Sequence, residues 1–192
     1  MIAIIDYFAG NVKSVENAVR ILGFETTITS DAEQIKNAEK VIFPGVGEAS
    51  TAMNYLKLKN LDTLIPTLKQ PFLGICLGQQ LLCDFSEEGN TKCLGIFDLK
   101  VKEFPAIDIV PHMGWNNLEK MQGPLFNGIS EDDNFYFVHS YYCELGENTT
   151  SECDYILPFS ATLQKDNFYG TQFHPEKSGD VGAKILENFL KL

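Results

Sequence analysis

Gly74-Ile75-Cys76-Leu77-Gly78-Gln79-Gln80-Leu81 continues the apolar run Phe72–Ile75 and leads into residues 79–85, which have the composition of a short helix. Cys76 takes the central place of G-x-S-x-G, the sharp strand-to-helix turn that lifts a nucleophile above the edge of a sheet, with sulfur replacing the hydroxyl. Glycine on both sides leaves room for such a turn, whose central residue is held in a strained conformation. The turn also sets Cys76 at the amino end of the following helix, where unpaired N–H groups and the dipole favour thiolate. The competing interpretation is a small buried hydrophobe, the common state of a free cysteine. Cys83, Cys93, Cys143 and Cys153 receive that interpretation.

Upstream of the turn, strand and helix signals alternate. Ile2–Ile5 is a short apolar strand, and Val12, Val15, Val19 and Leu22 recur at helical spacing until Gly23. Thr26–Thr29 reads as a second strand, Ser30 or Asp31 as the cap of a short helix, and residues 41–43 as a third strand running into Pro44. Residues 48–58 and 61–68 look helical. Downstream the pattern changes to strands at 94–104, 108–112, 135–143, 159–164 and 168–173, followed by a closing helix at 181–190. The expected fold is α/β: a three-layer arrangement with an open, mixed, mostly parallel sheet, helices on both faces and antiparallel additions. A chain of 192 residues without repeats or linkers suggests one domain over 1–192.

Composition narrows the function. A net charge of −11, spread along the chain, disfavours nucleic acid and anionic membranes as partners. Five cysteines, with no CxxC pair, point to a reduced, cytoplasmic protein rather than a disulfide framework. The start, MIAIIDYFAGN, lacks a basic region and reaches Asp6 after a few apolar residues, unlike a signal peptide or a membrane span. No P-loop, zinc-spaced Cys/His set or HExxH occurs, so no metal and no cofactor is expected.

A thiolate nucleophile needs a base, and the chain offers His112, His139 and His174. His174 lies in FHPEK, where Pro175 favours an extended residue before it, and extended residues two apart share a side. His174 and Glu176 are therefore expected to meet, the carboxylate fixing the imidazole tautomer as the acid of a triad does. His112 and His139 have no carboxylate at a comparable offset. Attack by Cys76 on a carbonyl would create an oxyanion, for which the Leu77 N–H is the first donor. The glycine loop Pro44-Gly45-Val46-Gly47, at the end of an earlier strand, is the candidate for a second.

With these pieces, the chain resembles the triad glutamine amidotransferases, which release ammonia from glutamine. DYFAGN followed by SV, then PGVG, GICLGQQLL, PHMGWN, FYFVHSYY and GTQFHPEKSG are similar to the glutaminase subunits of imidazole glycerol phosphate synthases over almost the whole chain. The resemblance implies a triad of Cys76, His174 and Glu176, oxyanion donors at Leu77 and Val46 after a peptide flip in PGVG, and glutamine held by Gly47, Gln80, Ser140 and Tyr141. It also implies a cyclase partner in histidine biosynthesis, docked near Trp115, Asn116, Tyr136 and Lys177. Two positions depart from the pattern: Phe8 stands where glycine is usual, and Glu48 where a small or apolar residue is common. A glutaminase serving another synthase, such as a surface-sugar amidating enzyme, a cysteine peptidase or esterase, and a binding module without catalysis are the rival readings.

Overall fold

The computed structural model describes residues 1–7 and 10–192. Its first half alternates as expected: β1 (Ile2–Ile5), α1 (Val12–Ile21), β2 (Thr26–Thr29), α2 (Ala32–Lys36), β3 (Lys40–Phe43), α3 (Ala49–Leu58), α4 (Leu61–Leu64), β4 (Phe72–Ile75) and α5 (Leu77–Leu82). Asp31 is the cap of α2, its carboxylate accepting from Gln34 N at 2.9 Å. Every residue of β1, β3 and β4 is buried, the mark of parallel strands covered on both faces.

The second half adds β5 (Phe85–Ser86), β6 (Thr91–Lys92), β7 (Lys100–Glu103), β8 (His112–Asn117), β9 (Asn134–His139), β10 (Tyr141–Cys143), β11 (Thr149–Asp154), β12 (Pro158–Lys165), β13 (Phe168–Thr171) and α6 (Gly179–Leu190). The main sheet runs β11-β12-β13-β4-β3-β1-β2. Strands β13, β4, β3, β1 and β2 are mutually parallel, while β11 and β12 are antiparallel additions. The remaining strands form a four-stranded sheet, β10-β7-β5-β6, and the β8-β9 pair, so not all of the expected antiparallel strands join the main sheet.

Several boundaries differ from expectation for identifiable reasons. Helix α5 begins directly after Cys76 and stops at Leu82, where Cys83 turns to an extended ψ of 179°. Residues 94–97, expected as strand, instead satisfy the carbonyls left open at that helix end. Leu94 N donates to Leu81 O at 2.9 Å, Gly95 N to Cys83 O at 2.8 Å, and Ile96 N and Phe97 N to Leu82 O at 2.9 and 3.0 Å. The strand expected at 108–112 begins only at His112, because Pro111 has no N–H to offer a ladder. Residues 135–143 break at Ser140 into two strands of different sheets. Strand β11 escaped the hydrophobic pattern because its sequence is polar. It is held to β12 by hydroxyl pairs, Thr149–Ser160 at 2.7 Å and Thr150–Thr162 and Ser151–Thr162 at 2.8 Å.

Candidate active site

The turn after β4 has the strained form that the sequence suggested. Cys76 lies at φ 53° and ψ −109°, a conformation tolerated only where the surroundings fix it. Its N–H donates to Thr171 O of β13 at 2.7 Å, and its carbonyl accepts Gln80 N at 3.1 Å. A Cβ on Gly74 would lie 2.7 Å from the carbonyl carbon and oxygen of Gly78, and one on Gly78 would overlap the Phe43 carbonyl of β3. Gly74 therefore lets the start of α5 close over β4, and Gly78 lets that helix sink against β3.

His174 follows β13, the strand paired with β4, so that sheet topology delivers it to Cys76 from a distant part of the chain. Its N–H is held by Tyr136 O at 2.9 Å and its carbonyl by Ser178 Oγ at 2.7 Å. The expected strand continuation does not occur: Pro175–Lys177 is a short 3-10 turn, and this turn brings Glu176 behind the imidazole. His174 Nδ1 meets Glu176 Oε1 at 2.8 Å, with both side chains fully buried. The same oxygen accepts from Asn11 Nδ2 at 3.0 Å, while Glu176 Oε2 has no hydrogen-bond partner. Nε2, the other ring nitrogen of His174, has no hydrogen bond to another group, and Cys76 is near enough for its charge to act on the ring.

Electrostatics favour the imidazolium. Burial, the largest single influence, lowers the pKa of His174. The effect of Cys76, chiefly through its charge, and then of Glu176 outweighs it and raises the value to about 10. Glu176 is pulled below the ordinary carboxylate value: burial, its largest influence, opposes this, but His174 and Asn11 prevail.

Cys76 opens onto a cleft of about 340 Å³, lined also by Val46, Gly47, Leu77, Gln80, Ser140 and Tyr141, so the seven cleft residues expected from sequence come together. Gln80 Nε2 donates to Tyr141 O at 2.8 Å and to Gln172 Oε1 at 3.0 Å, which occupies both amide hydrogens and leaves Oε1 as its free acceptor. At the glycine loop, Leu77 N donates to Gly45 O at 3.4 Å. In a planar trans peptide the N–H points away from the C=O, so the Val46 N–H points away from Leu77 in this arrangement. The two candidate oxyanion donors are not aimed at one point here.

Sequence reasoning missed four residues at this site. Glu88 lines the cleft, and its carboxyl pKa is raised, chiefly by burial. Asn11 holds Glu176, a role that polarity and its place before α1 alone did not announce. Gln172, fully buried, donates from Nε2 toward Cys76 Sγ at 3.6 Å, and it lies two residues before His174. Tyr7 keeps its hydroxyl buried and unpartnered, with its pKa raised by burial and then by the charge of Cys76. Of the two departures, Glu48 is the N-cap of α3, accepting from Ser50 N at 3.3 Å and Thr51 N at 2.9 Å. Phe8 lies outside the described residues.

The residues expected at a partner surface divide between two faces. Trp115 and Tyr136 oppose each other across β8-β9 with ring centroids 5.9 Å apart, and Lys177 Nζ lies 5.9 Å from the Tyr136 ring centre. Trp115 is 58% exposed and Met113 63%. Asn116 faces inward instead, its Nδ2 donating to Asp154 O at 2.9 Å, because neighbouring residues of a strand point to opposite sides.

Comparison with known proteins places this geometry. The family Glutamine amidotransferase class-I matches residues 3–192. The chain is 57% identical over 194 residues to "Imidazole glycerol phosphate synthase subunit HisH" of Bacteroides fragilis strain YCH46, covering 100% of this chain and 99% of the relative. It is 46% identical to the protein of the same name from Vibrio parahaemolyticus, covering 100% and 98%. Among solved structures, one titled as a glutamine amidotransferase superposes with a TM-score of 0.78 at 18% identity, covering 98% of this chain and 97% of that one. PurLQS from Thermotoga maritima gives 0.76 at 15%, covering 99% and 97%. These distant structures share the fold.

Proposed function

The chain belongs to the class-I glutamine amidotransferase family, and from that premise we propose that it is the glutaminase subunit of an imidazole glycerol phosphate synthase, acting as one domain over 1–192. The observation that carries the reading is the convergence of Cys76, His174 and Glu176 beside a cleft sized for an amino-acid amide.

The chemistry follows from the positions. Cys76 Sγ attacks the side-chain amide carbon of glutamine, His174 gives its proton to the departing nitrogen, and ammonia leaves a glutamyl thioester. Water then adds to the thioester with His174 taking a proton, and glutamate departs as the sulfur regains its starting state. Glu176 keeps the imidazole oriented and stabilises its charge. Gln80 offers its free Oε1, and Glu88 its carboxylate, to the substrate ammonium. Gly47 and the Ser140–Tyr141 backbone border the other end. Leu77 N–H and, after rotation of the Gly45–Val46 peptide, Val46 N–H stabilise the oxyanion, each worth about 3–4 kcal/mol. The present Leu77–Gly45 hydrogen bond supports low activity of the isolated chain, with the peptide turned only when partner and acceptor ligand are in place.

The partner is a cyclase that converts a phosphoribulosyl formimino carboxamide ribonucleotide into imidazole glycerol phosphate and an aminoimidazole carboxamide ribonucleotide. It docks on the face carrying Met113, Trp115, Tyr136 and Lys177, which adjoins the cleft through Val138, the cross-strand partner of Met113. Among the described residues no helix is long and apolar enough to cross a membrane, and the free cysteines suit the cytoplasm. The test is Cys76→Ala in the complex with a histidine-pathway cyclase: glutamine-dependent synthesis is lost and ammonia-dependent synthesis persists. Retention of glutamine use, or stimulation only by a different synthase, would overturn the assignment.

A further inference from the structure

Two buried histidines outside the triad form a hydrogen-bonded pair. His112 Nδ1 lies 3.1 Å from His139 Nε2, and the two rings belong to residues 3% and 6% exposed. His139 Nδ1 lies 2.8 Å from the carbonyl oxygen of Tyr141. A carbonyl only accepts, so the proton of neutral His139 is on Nδ1 and its Nε2 is an acceptor. His112 must then carry its proton on Nδ1 to donate to His139, which leaves its own Nε2 as an acceptor. Asn116 Nδ2 stands 3.5 Å from that Nε2 and also donates to Asp154 O, which fixes the amide orientation. Every group in the row thus has one consistent polarity with both rings neutral, and burial supports this by holding the pKa of His112 near 4 and that of His139 near 3.

The row ends on a carbonyl that matters to the site. Tyr141 O receives His139 from one side and Gln80 Nε2 from the other, and Gln80 continues through Gln172 to the sulfur of Cys76. At its other end, His112 and Asn116 are on β8, alternating with Met113 and Trp115, whose side chains are exposed on the opposite face. The His112 ring is clamped between Phe137 and Tyr155, with centroids at 4.8 and 4.0 Å, so it has little freedom to move independently of β8.

We propose that His112 is a positioning residue which, through the locked tautomer of His139, holds the Tyr141 carbonyl and so couples the outer strand β8 to the glutamine-binding segment and Gln80. The proposal rests on the glutaminase reading and extends it to a residue that does not line the cleft. His139, which does, would be the transmitting group.

The test uses the complex with a histidine-pathway cyclase and its acceptor ligand. His112→Phe keeps the stacking and removes the donor, whereas His112→Asn restores an N–H near the place of Nδ1. A neutral hydrogen bond is worth about 0.5–1.5 kcal/mol, so His112→Phe is expected to raise KM for glutamine by up to about tenfold and lower stimulation by the partner, with kcat for ammonia unchanged. His112→Asn should restore KM to within about twofold of the native value, a recovery that a purely packing role would not give. A variant-free measurement accompanies these: imidazole 15N shifts at neutral pH should show His139 as the Nδ1–H tautomer. Native KM and stimulation in His112→Phe, equal impairment of both variants, or an Nε2–H or charged His139 would each overturn the relay. Cys76→Ala separates this from the underlying assignment, because persistence of glutamine-dependent synthesis there defeats the glutaminase reading whatever His112 does.

Discussion

Glu176→Gln removes one charge with almost no change in volume, and the surrounding hydrogen bonds decide how the glutamine settles. In the native site Oε1 takes two donors, His174 Nδ1 at 2.8 Å and Asn11 Nδ2 at 3.0 Å, while Oε2 takes none. If the new amide keeps its oxygen toward those donors, its NH2 occupies a buried place with no acceptor, at a cost of about 1–3 kcal/mol. The alternative turns the amide around: Asn11 flips so that its oxygen, buried and unpartnered in the native site, accepts the new N–H, and His174 moves its proton to Nε2 to accept at Nδ1. That arrangement pairs the three side chains but leaves the Asn11 NH2 without an acceptor where Oδ1 sat, at a similar cost, and it presents N–H where the thiol proton must be received. Stability should therefore fall by about 1–3 kcal/mol, with Tm lower by about 2–4 °C per kcal/mol in a chain of this size. Glutamine-dependent kcat/KM should fall by about 10²- to 10⁴-fold, the range expected when a triad base is held in the wrong tautomer.

The assay compares glutamine- and ammonia-dependent synthesis by the complex, alongside the 15N titration of the His174 imidazole. Loss of the carboxylate weakens the imidazolium, so the His174 titration should move to lower pH. Native glutamine turnover with an unmoved His174 titration would refute the assignment of Glu176, and an equal loss of ammonia-dependent synthesis would show a general structural defect instead.

Gln172→Leu should lower glutamine-dependent kcat/KM by up to about tenfold and spare ammonia-dependent synthesis, because it removes an N–H donor from Cys76 Sγ; an unchanged value would mean that the 3.6 Å approach is packing alone. Glu48→Ala should cost about 1 kcal/mol of stability through loss of the α3 cap, measured by urea unfolding near neutral pH. The carboxylate of Glu48 is held near pKa 2, first by Ser50 and Thr51, so this contribution is present above its unfolded pKa and fades as pH falls through about 2. His112 and His139 work through the opposite state of the ring: their folded pKa values near 4 and 3 lie below the usual 6.5, so the unfolded chain binds protons first on acidification. Stability should decline as pH drops from about 6.5 toward 4, and the C2–H shifts of both rings should not titrate above pH 5; titration near 6.5 would refute their buried neutral state.

The parallel half of the fold was legible because strands buried on both faces are continuous apolar runs, and their helices repeat at a different period. β11 was not legible, since its Thr and Ser side chains pair with hydroxyls from β12 that no local pattern reveals. The end of α5 was misjudged for a related reason: the N–H groups that close it come from residues 94–97, beyond the helix itself. Within the site, Cys76 and His174 stand beside glycine and proline signals with direct backbone meaning. Asn11, Glu88 and Gln172 carry no such signal, and only their neighbours give them a part.

The amino-acid sequence by itself determined the elbow around Cys76, because glycine spacing and the change from strand to helix are local backbone constraints. It also supplied Cys76, His174 and Glu176 as the proposed triad and Val46 as the candidate donor of the glycine loop. The tertiary structure decided how they meet: β13 beside β4 carries His174 to the sulfur, a 3-10 turn places Glu176 behind the ring, and the Gly45 carbonyl occupies the Leu77 N–H. Hydrogen-bond direction and burial depend on groups far apart along the chain, so the polarity of the His112–His139 row exists only once the strands are packed.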